Sequence, residues 1–298
     1  MSVFAEHLSS LKQLPCFKYI EQVESINTGL SQASYKISAD GQLFYAKYIE
    51  HHDCNDEPTT SKITALQQLS PAVFHHQKHW LITMYIEGKT LFESFIPLTE
   101  KLDHAITLMS QYHQLNLPHK ELVPSEVIDL LLETSEVIYT PSQLTVFQQL
   151  KHYLQKNLSV KADKVCCHGD MNFSNILLDN TQKSWLIDFE CCCMAHAEFD
   201  IAMCIAINNL DSHTTTSMLQ NYQQLNPESS ICRQRLNNYL VFSHVINALW
   251  FDKKASKKQG KAQVELYKAL AHKQWLSLQH RIKEFELPID SSSLPAAI

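Results

Sequence analysis

Three polar residues that could do chemistry stand close together in the chain. Asp170 and Asn175 lie five apart in Cys167-His168-Gly169-Asp170-Met171-Asn172-Phe173-Ser174-Asn175-Ile176-Leu177-Leu178. Asp188 follows 13 residues after Asn175, in Trp185-Leu186-Ile187-Asp188-Phe189-Glu190. Phosphoryl transfer from a nucleoside triphosphate needs a carboxylate to orient the attacking hydroxyl and accept its proton, and oxygen ligands for the magnesium that bridges the phosphates. Two carboxylates and one amide supply both. Each fragment alone reads equally well as turn caps and a strand end, but the two in order favour a site.

The elements that must carry these residues follow from hydrophobic periodicity. Between Phe17 and Ile86, short alternating stretches at Ser34 to Ser38, Leu43 to Ile49 and Trp80 to Ile86 predict an antiparallel sheet, with Ala39-Asp40-Gly41 as a turn. One helix interrupts it near Thr60 to Leu69, where Ile63, Leu66 and Leu69 recur at helical spacing. Beyond Gly88 long helical patterns take over, at Thr99 to Asn116, Pro124 to Ile138, Pro141 to Asn157, Asp211 to Leu225, Ile231 to Asp252 and Gln263 to Phe285. A hairpin breaks this series: Asn175 to Leu178 and Ser184 to Ile187 flank the turn residues Asp179-Asn180-Thr181-Gln182. The expected class is α+β, with a first domain over 1–86 and a helical second domain over 87–298.

Composition narrows the function classes. The chain has 298 residues, 45% of them hydrophobic, enough for one large core or two smaller ones. A formal charge of -6 gives no general attraction to nucleic acid or anionic lipid. No apolar run is long enough to span a bilayer, so neither nucleic acid nor membrane is expected as a partner. The basic run Lys253, Lys254, Lys257, Lys258 and Lys261 reads as a solvated surface. Of the nine cysteines, Cys166, Cys167, Cys191, Cys192 and Cys193 are adjacent rather than spaced as zinc ligands, and read as small buried hydrophobes. Met1 to Leu11 has no leader-like apolar core, so a reducing, cytoplasmic setting is expected.

These motifs resemble those of the family that includes aminoglycoside phosphotransferases, choline kinases and thiamine kinases. The spacing His-x-Asp-x-x-x-x-Asn and then Asp-Phe is similar to the catalytic-loop and metal-loop pair of kinases. Trp80 through Leu91 resembles the hinge between lobes, and Tyr112-His113-Gln114-Leu115 the end of the first large-lobe helix. Phe199-Asp200-Ile201-Ala202 and the stretch from Ser243-His244 to Leu249-Trp250 are similar too. The resemblance implies a protein-kinase-like bilobal fold, with a small antiparallel-sheet lobe containing one helix and a larger helical lobe. It further implies an enzyme using ATP and Mg2+ to phosphorylate a small-molecule alcohol.

Carried over by position, Asp170 is the expected base, and Asn175 and Asp188 the expected metal ligands, with Asp200 bracing the loop. Lys47 resembles the lysine on the α and β phosphates. Gly29, Ser31 and Ser34 fall in the turn expected to cover the phosphates, and Met84, Tyr85 and Ile86 in the hinge expected to hold the nucleotide. The sequence departs from the pattern on the small-lobe helix. Alignment on Ala65 to Leu69 puts Lys62 or Ile63 where a glutamate partner for Lys47 usually stands, leaving Glu57 or an unidentified group for that role.

The acceptor is read from weaker signals. Asp188-Phe189-Glu190 resembles choline and thiamine kinases, the acidic Asp170, Glu190 and Glu198 suit a cation, and the aromatic rings of Trp250 and Tyr112 could add cation–π attraction. For Trp250, plain core packing is the stronger expectation. The form of the phosphate turn, the lack of the helix glutamate and the segment Ala248 to Asp252 resemble bacterial thiamine kinases, and this resemblance ranks thiamine first, choline second and aminoglycosides third. A nucleotide-binding pseudokinase and a protein kinase are the alternatives. The 11 residues between Asp188 and Asp200 leave little room for a peptide platform.

Overall fold

Alternating burial along the N-terminal strands produces a five-stranded antiparallel sheet. The computed structural model describes residues 3–26, 33–50, 57–159, 164–257 and 260–295. Helix α1 (Val3–Leu11) precedes β1 (Ile20–Ile26), β2 (Ser34–Ala39) and β3 (Gln42–Tyr48). After α2 (Glu57–Leu66) come β4 (Val73–Gln77) and β5 (Trp80–Met84), and the strand order is β1-β2-β3-β5-β4. At the β2–β3 turn, Asp40 and Gly41 have φ of 51° and 75°, the left-handed pair whose twist suits a two-residue hairpin. Leu11 and Leu14, at and just after the end of α1, pack with Tyr35, Ile37, Phe44, Trp80 and Ile82. This helix is an addition to the single helix expected beside the sheet.

Next come β6 (Gly88–Thr90), α3 (Leu98–His113), α4 (Pro124–Glu133), α5 (Pro141–Leu158) and β7 (Val165–Cys167). The predicted hairpin is present as β8 (Ile176–Asp179) and β9 (Ser184–Leu186), and β6 adds to it on the other side of β8. Asp179 ties its turn: the carboxylate accepts from the Thr181 and Lys183 amides, the Thr181 hydroxyl and the Trp185 indole. Against the small cost of its burial, those bonds hold its pKa down at about 2. A short strand β10 (Cys193–Ala195) pairs with β7, followed by α6 (Glu198–Asn208), α7 (Ser212–Leu225), α8 (Arg233–Ser256) and α9 (Lys261–Glu284).

The chain divides into two units. One comprises Met1–Tyr112, Leu117–Lys120 and Phe173–Cys192, and so joins the five-stranded sheet to the β8–β9 hairpin. The other comprises His113–Asn116, Glu121–Asn172 and Cys193–Ile298 and is mainly helical. Within the first, the amide of Leu186 donates to the carbonyl of Leu69 at 2.7 Å, fastening the hairpin to the segment after α2. All eight described cysteines are free thiols, four of the five in the two adjacent runs being buried.

Candidate active site

Lys47 sits on β3, third of the five strands, and is only 4% exposed. An ammonium cannot stay buried without partners. It has three: Glu57 at 2.8 and 2.9 Å, Asp188 at 2.5 Å and Glu190 at 3.5 Å. Burial works to lower the lysine's pKa, but the charges of Asp188, Glu57 and Glu190 outweigh it and hold the value well above normal. Glu57 is pushed up to about 7, chiefly by burial, with Lys47 opposing.

The glutamate partner of the lysine is therefore Glu57, the first residue of α2. The helix buries Glu57, Thr60, Ser61 and Thr64, which recur at helical spacing, so its inner face is polar. Thr64 stabilises that face by donating to the carbonyl of Thr60 and sharing a hydrogen bond with the Ser70 hydroxyl. Leu66, on the stripe from which the inner face was expected, is 81% exposed. The expectation that Lys62 or Ile63 occupies the glutamate's place fails because the apolar spacing marks the wrong side of the helix.

Asp188 follows β9 directly and has φ 68° and ψ 69°. For a residue with a Cβ, this left-handed conformation costs on the order of 1 kcal/mol or more. Here it accompanies the carboxylate's 2.5 Å contact with Lys47. The hairpin pairing also extends past its last strand pair: the Ile187 amide donates to the carbonyl of Asn175 at 3.0 Å. Asn175 and Asp188 therefore both stand at the open end of this hairpin. One carboxylate oxygen each from Glu57, Asp188 and Glu190 lies within 4.8 Å of the others. This all-oxygen anionic donor set fits a hard divalent cation such as magnesium, and Asn175 stands at the same end of the hairpin as Asp188.

Asp170 belongs to the helical unit, on a loop held from α6. Asp200 is completely buried and accepts the amides of His168 and Gly169, both at 2.8 Å. His113 Nε2 donates to the same carboxylate at 3.0 Å, which leaves its Nδ1 to accept from the Tyr222 hydroxyl at 2.7 Å. His168, also buried, accepts the Asp170 amide at Nδ1. Gly169 has φ 81°, so the loop turns on a left-handed residue before Asp170. His113, Cys167 and Asp200 together offer ligand atoms within 4.8 Å, yet these bonds already account for the histidine and the aspartate.

The remaining expected residues are placed as follows. Tyr85 donates its amide to Leu43 and its ring faces Lys36 at 4.6 Å, and the Met84 amide donates to Ala72. Ile86 makes no backbone hydrogen bond among the described residues, so its N–H and C=O are open to a ligand. Ser34 pairs across from Lys47 in the β2–β3 register, but its hydroxyl is bonded to Tyr45 at 2.7 Å inside the sheet. Burial pushes that tyrosine up to about 12. Gly29 and Ser31 lie outside the described residues.

The acceptor residues need more correction. Tyr112 is fully buried, stacked on Phe189, with its hydroxyl bonded to His119 and Cys192. Glu198 is buried and neutralised by Arg235 at 2.7 and 2.9 Å and by the Cys232 amide, so it is no free partner for a cation. Trp250 packs with Phe251 and Tyr267, and Lys254 lies 4.8 Å over its ring, where a cationic ligand would otherwise sit. Glu190 faces Lys47.

Comparison with known proteins matches residues 60–228 to the phosphotransferase enzyme family. The chain belongs to this family. The match contains the whole loop from His168 to Asn175, Asp188 and Asp200. A probable choline kinase 2 of Arabidopsis thaliana is 24% identical over 199 residues, which are 64% of this chain and 57% of that protein. The chain thus matches only a little over half the length of that relative. The choline kinase LicA of Streptococcus pneumoniae superposes with a TM-score of 0.71 at 18% identity, over 91% of this chain and 97% of that one. A second structure of LicA, in complex with AMP, gives 0.70 at 19% identity over 92% and 98%. The α+β, protein-kinase-like architecture is therefore that of the family. Among the described residues, no helix is long and apolar enough to cross a membrane.

Proposed function

We propose that this phosphotransferase moves the γ-phosphoryl group of ATP onto the hydroxyl of a small cationic alcohol of the choline or thiamine type. The observation that carries the proposal is the cluster of Lys47 with Glu57, Asp188 and Glu190. One buried cation among three carboxylates leaves an excess of negative charge, which a bound divalent magnesium ion would balance. Asn175, Asp188 and the neighbouring carboxylates would hold the magnesium, with Lys47 on the phosphates. When bound, the metal neutralises charge on the β and γ phosphates. The open backbone of Ile86 suits the edge of an adenine ring, and a structure of LicA in complex with AMP supports a nucleotide ligand for this fold.

Asp170 orients the acceptor hydroxyl and takes its proton as the phosphoryl group transfers in line. Its loop is fixed in advance by Asp200, so little reorganisation accompanies the reaction. Likeness to choline kinases supports an amino alcohol ahead of thiamine, the reverse of the order read from the sequence. An aminoglycoside acceptor is the second reading, since the family takes in such enzymes. The pseudokinase alternative loses its main motive, because Glu57 supplies the glutamate that the helix pattern lacks. ADP release should be coupled to NADH oxidation across choline, ethanolamine, thiamine, sugars and aminoglycosides. Saturable magnesium-dependent turnover of a cationic alcohol is expected, and turnover of peptide substrates alone would overturn the proposal.

A further inference from the structure

The helical unit contains a cavity of about 340 Å³ between α6, α8 and α9, lined by none of the residues assigned above to phosphoryl transfer. Its innermost polar group is His244, which is 5% exposed. The hydrogen-bonding direction of this histidine is fixed by its neighbour. Gln274 donates its amide nitrogen to the carbonyl of Ala206 at 3.4 Å, so its oxygen faces His244 Nδ1 at 2.7 Å. That oxygen can only accept, hence Nδ1 carries the proton and Nε2 presents a lone pair. Nε2 has no hydrogen-bond partner among the described residues. Burial, reinforced by the charge of Arg281, keeps this imidazole neutral down to about pH 4.

The mouth of the cavity has a different character. Arg281 donates one guanidinium nitrogen to Glu284 at 2.6 Å and lies 5.8 Å over the Phe285 ring, while its other nitrogens make no hydrogen bond among the described residues. His280 and Ser277 stand on the same side, with Asn209 opposite. Leu276, half exposed, forms the apolar lip.

We propose that this cavity is a second small-molecule site, for an anion that also carries a hydroxyl. The hydroxyl donates to Nε2 of His244, and the carboxylate or phosphate pairs with Arg281. The volume falls at the lower end of the range for small-ligand sites, which suits a three- to six-carbon hydroxy acid or sugar phosphate. The acceptor favours anions that also carry a donor, because only these pair with its lone pair.

Titration calorimetry of the full chain with glycerate, glycerol 3-phosphate, glucose 6-phosphate, acetate and inorganic phosphate tests this, and separates the carboxylate from the phosphate source. Saturable binding of at least one hydroxylated anion is expected, about tenfold or more tighter than acetate or inorganic phosphate. Arg281→Gln should weaken it at least about tenfold. Leu276→Trp, made at an exposed position so that the fold is preserved, should abolish it by filling the cavity. No saturation by any hydroxylated anion up to about 10 mM, far beyond the dissociation constant of a specific site, overturns the proposal. Binding that survives both substitutions does so equally.

Discussion

Removing Lys47 and removing Glu57 should have very unequal effects on stability, although each deletes one end of the same ion pair. In Lys47→Met, the carboxylates of Glu57, Asp188 and Glu190 keep oxygens within 4.8 Å of one another with no cation between them. A buried charge left without compensation costs about 3 to 5 kcal/mol. In Glu57→Gln, the ammonium keeps Asp188 at 2.5 Å and Glu190 at 3.5 Å, and the amide oxygen still accepts a hydrogen bond. The net charge of the cluster moves from -2 toward neutrality, so the expected loss is below about 1 kcal/mol. Urea denaturation in magnesium-free buffer containing a chelator measures both. Magnesium should then recover more stability in Lys47→Met than in the wild type, since the metal replaces the missing cation. Equal losses for the two variants, or a larger loss for Glu57→Gln, would refute this charge accounting.

Two other outcomes are expected. Asp200→Asn keeps the side chain's shape but weakens its bonds to His168, Gly169 and His113, and should cost about 2 to 4 kcal/mol; faster hydrogen exchange at the His168 and Gly169 amides would check that the loss is local to the loop. His244 is depressed from 6.5 to about 4, so its contribution is fully present above pH 6.5 and is lost as pH falls through about 4. The depression is worth up to about 3 kcal/mol. The stability of His244→Gln should therefore fall less steeply than the wild type between those pH values, as denaturation midpoints would record.

The placement of the proposed site residues is legible in the sequence because it is local. Asp170, Asn175 and Asp188 lie on one loop and one hairpin, and the alternation along β8 and β9 is enough to put the last two at its open end. What escapes the sequence lacks an amphipathic signature. Helix α6 gives no helical period because Glu198 through Ala206 are all buried, which leaves no polar face to set one. Glu57 stands in the sequence only as one alternative, for the opposite reason, since the buried face of α2 is made largely of hydroxyls and a carboxylate while Leu66 is exposed. The long-range bonds that neutralise Glu198 and seat His113 on Asp200 join residues 37 and 87 positions apart, beyond the reach of any local pattern.

The central claim is that Asp170 accepts the proton from an alcohol that attacks ATP. Turnover of Asp170→Asn with choline and magnesium–ATP, measured beside nucleotide affinity by calorimetry, tests it most directly. The account predicts a fall in kcat of at least about 100-fold with the nucleotide Kd nearly unchanged. Turnover within about tenfold of the wild type would contradict it.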